Sequence, residues 1–512
     1  MNKWIITLTV MLPTLIEIVD MTIVNVSLGH IRGSLGGAFE ESTWILTMYM
    51  VANAVIVTIT GWLSKIFGRR NYLILSISLF TVSSFLCGIA WSIPSIVIFR
   101  ILQGIGGGGL QPISQAILLE TFPKEEHGTA MAVFGTGVIM GPIVGPLLGG
   151  WITDNWSWHW IFFINIPIGL TSIIMTLLFI KDPPWAKKEP VKVDYIGLAA
   201  VSIGVGSLQI LLDQGQLKDW FSSRLIQILT LVSVTSLFLF IVWEARSKSP
   251  IIDLRLFRYK TFSIGNGALF FTFFCLFGTI VLLPVYLQEL MGYSAFLTGL
   301  VLGPGGIVTV ISLWVAGRMV NKISPGLIAI FGLLINAIAC YQMSKFNLQT
   351  DFISLVIPRV VLGFGMGFVF IPLTIVSLGQ IKKEEMNMAT SVISFLRNVG
   401  GSFGTAFVST MLSRKAQMYQ TYLSESLTPY DFSLQISIEK LKALVSLKGY
   451  SEPLLTQISQ AAIYRELLRQ AMMLSFNHVF FTLGVLFVVG VILILIIRGG
   501  DKTQKTDLFQ SH

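Results

Sequence analysis

Residues 100–108 read Arg-Ile-Leu-Gln-Gly-Ile-Gly-Gly-Gly, and residues 359–367 read Arg-Val-Val-Leu-Gly-Phe-Gly-Met-Gly. One ungapped shift of 259 positions aligns the arginine and three glycines of both stretches. The same shift aligns further pairs: Lys124 with Lys383, Ala130 with Ala389, Gly141 with Gly400 and Gly145 with Gly404. Matches of polar residues and glycines at one offset are not expected by chance in a chain rich in Leu, Ile and Val. The chain therefore contains an internal repeat, which predicts two related halves.

The composition around this repeat is that of a membrane protein. Of the 512 residues, 54% are hydrophobic and only 12% are charged, whereas soluble domains carry about 25% charged residues. Runs of about 18 or more mostly apolar residues indicate membrane-spanning helices. Fourteen such runs occur, at about 4–28, 43–62, 72–91, 95–118, 130–151, 160–180, 196–212, 225–243, 263–286, 297–316, 326–344, 353–378, 389–411 and 476–497. We predict an all-α membrane protein with fourteen spans, which excludes a soluble enzyme.

The net charge of +9 is explained by topology and not by nucleic-acid binding. If the N-terminus is inside, the inner segments hold 21 Lys and Arg residues. The short outer loops then hold four: Arg32, Lys218, Arg224 and Lys345. Short cytoplasmic loops carry this excess of basic residues. We expect a multi-pass protein of the cell membrane, the inner one where there are two, with both termini cytoplasmic.

The repeat also predicts the domain organisation. It aligns span 4 with span 12 in the same direction, so the halves are parallel and two extra spans separate them. The predicted domains are an N-terminal six-helix half at 1–182, two extra helices with linkers at 183–260, and a C-terminal six-helix half at 261–512. The last includes a long extracytoplasmic loop at about 412–475. Approximate helical spacing of its apolar residues predicts two amphipathic helices there, either a docking surface or a cap over the outer mouth.

Glu17 and Asp20 are the two acidic residues deep inside a span, and they lie three residues apart on one helix face. A carboxylate in the bilayer is costly and by default suggests a functional site. Two acids this close disfavour each other's ionised form, which suits groups that bind and release protons. The alternative is a structural role in polar contacts between neighbouring helices.

Arg100 is the predicted partner of this acid pair. At about 1.5 Å per residue, Glu17 lies about 20 Å from the inner surface and Arg100 about 21 Å. We predict a carboxylate–guanidinium pair between spans 1 and 4, broken by substrate or proton; the alternative is that Arg100 only ties backbone carbonyls together. Arg359 and Arg397 are further cations inside spans, for which we favour a structural role.

Span 5 contains a stripe of glycines interrupted by prolines: Gly137, Gly141, Pro142, Gly145, Pro146 and Gly149. Glycine at every fourth position allows another helix to approach closely. Proline removes a backbone donor and bends a helix. Packing alone explains the glycines, whereas the two prolines favour a bent element at a moving interface.

Six polar and aromatic residues are candidates for lining a substrate cavity: Asn25, Gln103, Gln115, Asn165, Phe270 and Phe274. The phenylalanines belong to an aromatic-rich part of span 9, which could contact flat lipophilic cations through its rings; bulk facing lipid and helices is at least as good an explanation. The three cysteines lack metal-ligand spacing and the five histidines do not cluster. We therefore expect neither a metal nor a cofactor.

The sequence resembles the fourteen-helix drug:proton antiporters of the major facilitator superfamily, the EmrB/QacA type, over essentially its whole length. Five motifs carry the resemblance: Asp20-Met-Thr-Ile-Val-Asn-Val in the first helix, residues 61–70 in loop 2–3, Arg100-Ile-Leu-Gln103-Gly104, residues 137–150, and residues 158–169 in the sixth helix. Residues 208–213, 219–221 and 250–254 and the long loop before the last helix favour the EmrB branch.

The resemblance implies proton-driven export of lipophilic, often cationic, compounds by alternating access of two six-helix halves. It assigns proton transfer to Asp20 and Arg100 and the antiporter motif to the glycine–proline stripe. It also implies a periplasmic adaptor and an outer-membrane channel where the cell has two membranes, with no nucleic-acid partner.

Two residues depart from the family pattern. Lys65 stands where the superfamily motif has Asp, which puts the usual inner gating network in doubt. Glu17 is an acid that the family motif does not require, and it is expected to share or alter the proton role of Asp20.

Two other classes of function remain open from the residues. An uptake symporter or another carrier of the same fold is disfavoured by the glycine–proline stripe. A membrane enzyme or sensor would need a reactive group of side chains or a signalling domain, and the sequence shows neither.

Overall fold

The computed structural model describes residues 2–182, 194–247, 250–425, 427–428, 431–446 and 452–507. In this part of the chain all regular structure is helical. The helices are α1 (Lys3–Leu35), α2 (Phe39–Phe67), α3 (Arg69–Gly88), α4 (Ile93–Gly107), α5 (Leu110–Thr121), α6 (His127–Asn155), α7 (Trp160–Phe163), α8 (Asn165–Phe179), α9 (Tyr195–Gln214), α10 (Arg224–Glu244), α11 (Lys260–Val285), α12 (Ala295–Met319), α13 (Pro325–Met343), α14 (Phe352–Leu378), α15 (Met386–Glu425), α16 (Phe432–Ser446) and α17 (Glu452–Asp507).

Thirteen stretches of these helices are long and apolar enough to cross a membrane. The fourteenth predicted span, at 389–411, lies within α15, whose many small and polar residues lower its hydropathy. α15 nevertheless packs against α2, α11 and α17 within the bundle. The all-α architecture is confirmed, and fourteen membrane helices are consistent with it.

Two predicted spans are each built from two helices. The fourth is α4 followed by α5, interrupted at Gly108 and Gly109. A Cβ on Gly108 would lie 2.8 Å from the backbone oxygen of Asn53, so a glycine here lets α2 and the chain between α4 and α5 touch. The sixth span is α7 followed by α8.

The predicted extracytoplasmic segment at about 412–475 is largely helical in its described residues, and α16 and the start of α17 lie where two amphipathic helices are predicted. α15 continues to Glu425, and α17 begins at Glu452 and runs for 56 residues. At about 1.5 Å per residue, α17 would be about 84 Å long, far more than the roughly 30 Å of hydrocarbon. The second predicted amphipathic helix is therefore the start of α17, and α16 packs against it. Residues 447–451, between α16 and α17, lie outside the described residues.

The N-terminal helices α1–α8 and the C-terminal helices α11–α17 meet mainly through α2 with α15, α6 with α12 and α5 with α15. At the end of the bundle that holds Lys3, which we call the terminal end, the backbones of the two groups touch. A Cβ on Gly317 would lie 2.6 Å from the backbone oxygen of Gly128, and one on Gly61 would lie 2.6 Å from the Cα of Met388. Through these contacts the terminal ends of the two groups are packed together.

The hairpin of α9 and α10 lies against the seam between the two groups. α9 packs on both α2 and α15. Gln209 exchanges hydrogen bonds with Ser402, and the Trp220 indole donates to Thr410 at 2.8 Å. The linkers at 183–193 and 248–249 lie outside the described residues.

Candidate functional site

Asp20 and Arg100 form an ion pair inside the N-terminal group of helices. Arg100 Nη1 lies 2.5 Å from Asp20 Oδ2, and both side chains are at most 1% exposed. α1 supplies the acid and α4 the guanidinium; helix rise places Arg100 level with Glu17, whereas the structure pairs it with Asp20, about one turn further along α1. The predicted pair is present in the structure, while its role in proton coupling stays a prediction.

Asp20 Oδ1 is held by two amides, which completes the solvation of the buried charge. Gln103 Nε2 donates to it at 2.9 Å and Asn165 Nδ2 at 2.8 Å. Both amides also donate to Ser84 Oγ. A buried charge is tolerated only when it is paired and hydrogen-bonded in this way.

Arg100 has partners besides Asp20. Its Nη1 donates to Gln103 Oε1 at 2.7 Å and its Nε to the backbone oxygen of Ile45 at 3.4 Å. Its guanidinium carbon lies 3.9 Å from the centre of the Tyr49 ring, in reach of a cation–π interaction. The arginine therefore keeps polar partners when Asp20 loses its charge.

Glu17 does not join this ion pair. Its Oε1 accepts from Asn53 Nδ2 at 3.0 Å and from the Tyr49 hydroxyl at 3.5 Å, and its Oε2 accepts from Gln111 Nε2 at 2.8 Å. Tyr49 thus contacts Glu17 through its hydroxyl and Arg100 through its ring. The two acids, one turn apart on α1, have different sets of partners.

The other two buried arginines differ in their surroundings. Arg397 on α15 donates to Gln111 Oε1 at 2.7 Å, and its guanidinium lies 5.7 and 5.5 Å from the Phe134 and Phe273 rings. Arg359 shows no ion pair with any carboxylate of the described residues.

At the repeat offset of 259, Arg359 occupies the position of Arg100, whereas Thr279 occupies the position of Asp20. The duplication has therefore preserved the arginine and not the acid.

The glycine stripe of α6 faces α1. Each of Gly137, Gly141, Gly145 and Gly149 approaches an α1 side chain: Met11, Ile18, Thr22 and Ile23 respectively. Pro142 and Pro146 lie inside α6, which continues through both. Because Ile18 and Thr22 alternate with Glu17 and Asp20 along α1, the stripe determines how closely the acid-bearing helix can lie to α6.

We expect Gly145→Ala to destabilise the protein by about 1–3 kcal/mol, the usual cost of overpacking. The new Cβ would overlap Thr22 Oγ1 and come within 3.1 Å of the Val19 backbone oxygen. Gly150→Ala is the matched control, since nothing lies within 4 Å of a Cβ there. Thermal unfolding in detergent would measure both; equal stability of the two variants would contradict the close α1–α6 packing.

The six cavity candidates fall into three environments. Gln103 and Asn165 are buried in the Asp20 network. Gln115 is buried, with its Nε2 3.6 Å from the Met131 sulfur. The remaining three are more accessible: Asn25 is exposed on α1, and Phe270 and Phe274 are half-buried against Phe403 and Phe407 of α15.

Sequence reasoning missed four residues of the site: Tyr49, Asn53, Ser84 and Gln111. All are buried polar residues inside predicted spans. Their polarity was visible in the sequence, but polar residues are common in these spans, and spacing alone does not tell which of them face the acids.

The charges of loop 2–3 are paired within the N-terminal group. Arg69 makes a bidentate pair with Glu120 at 2.5 and 2.6 Å, and both side chains are 7% exposed. Arg70 donates through its backbone N–H to Asp182 at 2.9 Å. Lys65, which replaces the acid of the family motif, is exposed. Next to loop 2–3, the buried ion pair therefore uses Glu120 of α5 as its acid and not residue 65.

Glu120→Gln is expected to lower the free energy of unfolding by about 3–5 kcal/mol, because it leaves the buried Arg69 charge uncompensated. Lys65→Ala should change it by no more than about 0.5 kcal/mol, as for other exposed positions. Thermal unfolding would compare them, with Arg69→Gln/Glu120→Gln as a test of coupling. If Glu120→Gln unfolds at the same temperature as Lys65→Ala, the Arg69–Glu120 pair does not stabilise the fold.

Comparison with known proteins places the chain among transporters. The model of the Major Facilitator Superfamily matches residues 10–405. The chain is similar to the multidrug export protein EmrB of Escherichia coli strain K12, with 36% identity over 486 residues, covering 95% of this chain and 93% of EmrB. It is 36% identical over 484 residues to the fatty acid resistance protein FarB of Neisseria gonorrhoeae, covering 94% of each chain.

Two solved structures share the fold. The human organic anion transporter MFSD10 (TETRAN) superposes with a TM-score of 0.65 at 14% identity, covering 96% of this chain and 100% of that one. The proton:xylose symporter XylE superposes with a TM-score of 0.60 at 15% identity, covering 96% and 95% of the two chains.

Proposed function

Because the chain belongs to the Major Facilitator Superfamily, within the EmrB branch of its multidrug exporters, we propose that it exports lipophilic, often cationic, compounds in exchange for protons. The observation that carries the proposal is the buried Asp20–Arg100 pair in the N-terminal group of helices. A fully buried, titratable carboxylate is a suitable proton carrier, because proton binding cancels its charge and changes its pairing.

In this proposal the two groups of helices alternate access by rocking against each other around a central cavity. In this proposal the packed terminal end corresponds to a closed cytoplasmic side. The basic residues in the short loops indicate that both termini lie in the cytoplasm. The C-terminal end of α15, α16 and the N-terminal end of α17 then lie outside.

Proton binding from outside would neutralise Asp20, while Arg100 keeps Gln103 Oε1 and the Ile45 carbonyl as acceptors. Loss of the ion pair changes the relative stability of the two orientations. On the cytoplasmic side, proton release would restore the carboxylate and favour a cationic compound. Proton and drug are thereby coupled, since each can shift only an equilibrium to which it binds differentially.

In a cell with two membranes, we propose that the protein lies in the inner membrane and works with a periplasmic adaptor and an outer-membrane channel. Support comes from its similarity to EmrB and from the helical segment of α15, α16 and α17 that is long enough to project beyond the bilayer. This segment is the surface that such an adaptor would contact.

A drug-susceptibility panel would test the proposed export. The wild-type chain and Asp20→Asn are expressed to equal levels in a cell that lacks its own efflux pumps. We expect the wild type to raise resistance to several structurally unrelated lipophilic compounds, and the variant to raise resistance to none. Increased sensitivity in cells with the wild type would instead indicate uptake and contradict export.

A further inference from the structure

A chain of three buried side chains connects the two groups of helices near the middle of the bundle. Glu17 on α1 accepts from Gln111 Nε2 at 2.8 Å, and Gln111 Oε1 accepts from Arg397 Nη2 at 2.7 Å. α1 and α5 belong to the N-terminal group and α15 to the C-terminal group. Glu17 is 0% exposed, Arg397 2% and Gln111 9%, so water does not replace these bonds.

The orientation of the Gln111 amide depends on both charges. Its N–H faces a carboxylate and its oxygen faces a guanidinium, which has only donors. A flipped amide would place its oxygen against the carboxylate and its N–H against the guanidinium, and both bonds would be lost. The neutral amide therefore holds the acid and the base in one arrangement without letting them touch.

A proton on Glu17 disturbs this arrangement. Three donors face the carboxylate: Gln111 N–H, Asn53 N–H and the Tyr49 hydroxyl. A protonated Oε2 would turn an O–H toward the Gln111 N–H, donor against donor. On Oε1 the proton would need the Tyr49 oxygen as its acceptor. Because a buried polar group left without a hydrogen-bond partner costs free energy, protonation weakens the contacts that hold Glu17.

The charged and titratable groups around Glu17 are few among the described residues. They are Asp20 on the same helix, Tyr49 on α2, Arg100 on α4 and Arg397 on α15. Arg100 is already paired with Asp20. Arg397 makes no ion pair with a carboxylate of the described residues, and it is linked to Glu17 through Gln111.

We propose that Gln111 and Arg397 are positioning residues that transmit the protonation state of Glu17 to the C-terminal group. With Glu17 ionised, the chain of bonds holds the groups in the arrangement with the packed terminal end. With Glu17 protonated, the chain loosens and the terminal end opens. This proposal rests on the proposed proton-coupled export, and it makes Arg397 a part of the coupling where the sequence favoured a merely structural role.

Spin-label distances across the terminal end would test this without needing a substrate. Lys65 and Lys322, both exposed and on opposite groups, are replaced by labelled cysteines, and Cys87, Cys275 and Cys340 by alanine. We expect the wild-type label separation to lengthen as the pH falls. At high pH, Glu17→Gln and Gln111→Leu should already show the long-distance population that the wild type reaches at low pH.

Two further variants separate coupling from packing. Arg397→Gln should behave like Gln111→Leu, whereas Arg397→Lys retains a donor for Gln111 and should resemble the wild type. Glu17→Gln/Gln111→Leu should shift the population no further than Glu17→Gln alone, because both changes break one chain. Arg359 is a buried arginine that takes no part in the Glu17–Gln111–Arg397 hydrogen bonds, so Arg359→Gln should leave the pH response unchanged.

The outcomes distinguish this inference from the proposed function. If the wild type responds to pH and Gln111→Leu follows the same curve, the link is refuted while proton coupling through Asp20 stands. Additive shifts in the double variant would also refute it. If the wild type shows neither a pH-dependent distance nor pH-driven efflux, the proposed function itself fails. If Gln111→Leu does not fold, Arg397→Gln takes its place in the test, and the reverse.

Discussion

Substitution of Asp20 by asparagine is expected to abolish efflux driven by a pH gradient while the protein still folds. Asparagine has the shape of aspartate and keeps an oxygen that can accept from Gln103 and Asn165, but it binds no proton in the physiological range. Arg100 loses its counter-charge and keeps the Ile45 carbonyl, the Gln103 oxygen and the Tyr49 ring. Leaving the buried Arg100 without its counter-charge lowers the stability of the variant, but these remaining contacts let it fold, and the proton carrier is gone.

Dye efflux from proteoliposomes with an imposed pH gradient would measure this effect, with ethidium as the probe. Asp154→Asn is the matched control, because the Asp154 side chain is 70% exposed near the end of α6, and it should transport like the wild type. Circular dichroism and unfolding temperature would establish that both variants fold. Normal pH-driven efflux by Asp20→Asn would remove Asp20 from the coupling.

Arg100→Ala is expected to impair transport more than Arg397→Ala. Arg100 contacts Asp20 directly, so its removal leaves a buried, unpaired carboxylate at a cost of about 3–5 kcal/mol. Proton binding to Asp20 would then no longer break an ion pair. Arg397 reaches Glu17 only through Gln111, and its loss leaves the direct bonds to Glu17 in place.

The comparison needs initial rates of efflux at several pH values for both alanine variants. We expect Arg100→Ala to lose its dependence on the pH gradient. Arg397→Ala should retain part of the transport with a weaker dependence. Arg100→Lys tests whether a charge alone suffices, since lysine cannot reproduce the planar contacts of arginine with Asp20, Gln103 and Tyr49. The reverse ranking of the two alanine variants would contradict the central place of Asp20–Arg100.

The membrane fold follows from the sequence because its main determinants are local. Apolar runs predict the spans, and basic residues in short loops predict their direction. A carboxylate–guanidinium pair between spans 1 and 4 could also be predicted, since helix rise places Glu17 and Arg100 at nearly the same depth, but not that Asp20 is the acid that forms it. Depth does not give the rotation of a helix about its axis, however. The separate partners of Glu17, namely Asn53 and Gln111, could therefore not be chosen from the other polar residues of the same spans.

Hydropathy also fails where a helix leaves the membrane. The spans predicted at 389–411 and 476–497 stop short of the helices, because α15 continues to Glu425 and α17 already begins at Glu452. These extra turns are helical because they continue helices that the bilayer and the bundle stabilise. The reverse holds for α15 inside the bundle, where residues such as Ser391, Ser394 and Gly400 lower the hydropathy of a buried helix. Packing between helices, which the sequence does not display, determines both features.

Coupled movement of protons and dye in opposite directions is the central claim, and one measurement tests it directly. Proteoliposomes without an initial pH gradient are loaded with ethidium and diluted into dye-free buffer, and the internal pH is followed. Outward dye movement through the wild type should drive protons inward and acidify the interior, and Asp20→Asn should not. An interior that becomes more alkaline with the wild type would indicate that dye and protons move together, and an unchanged pH would indicate no coupling; either result would contradict proton antiport.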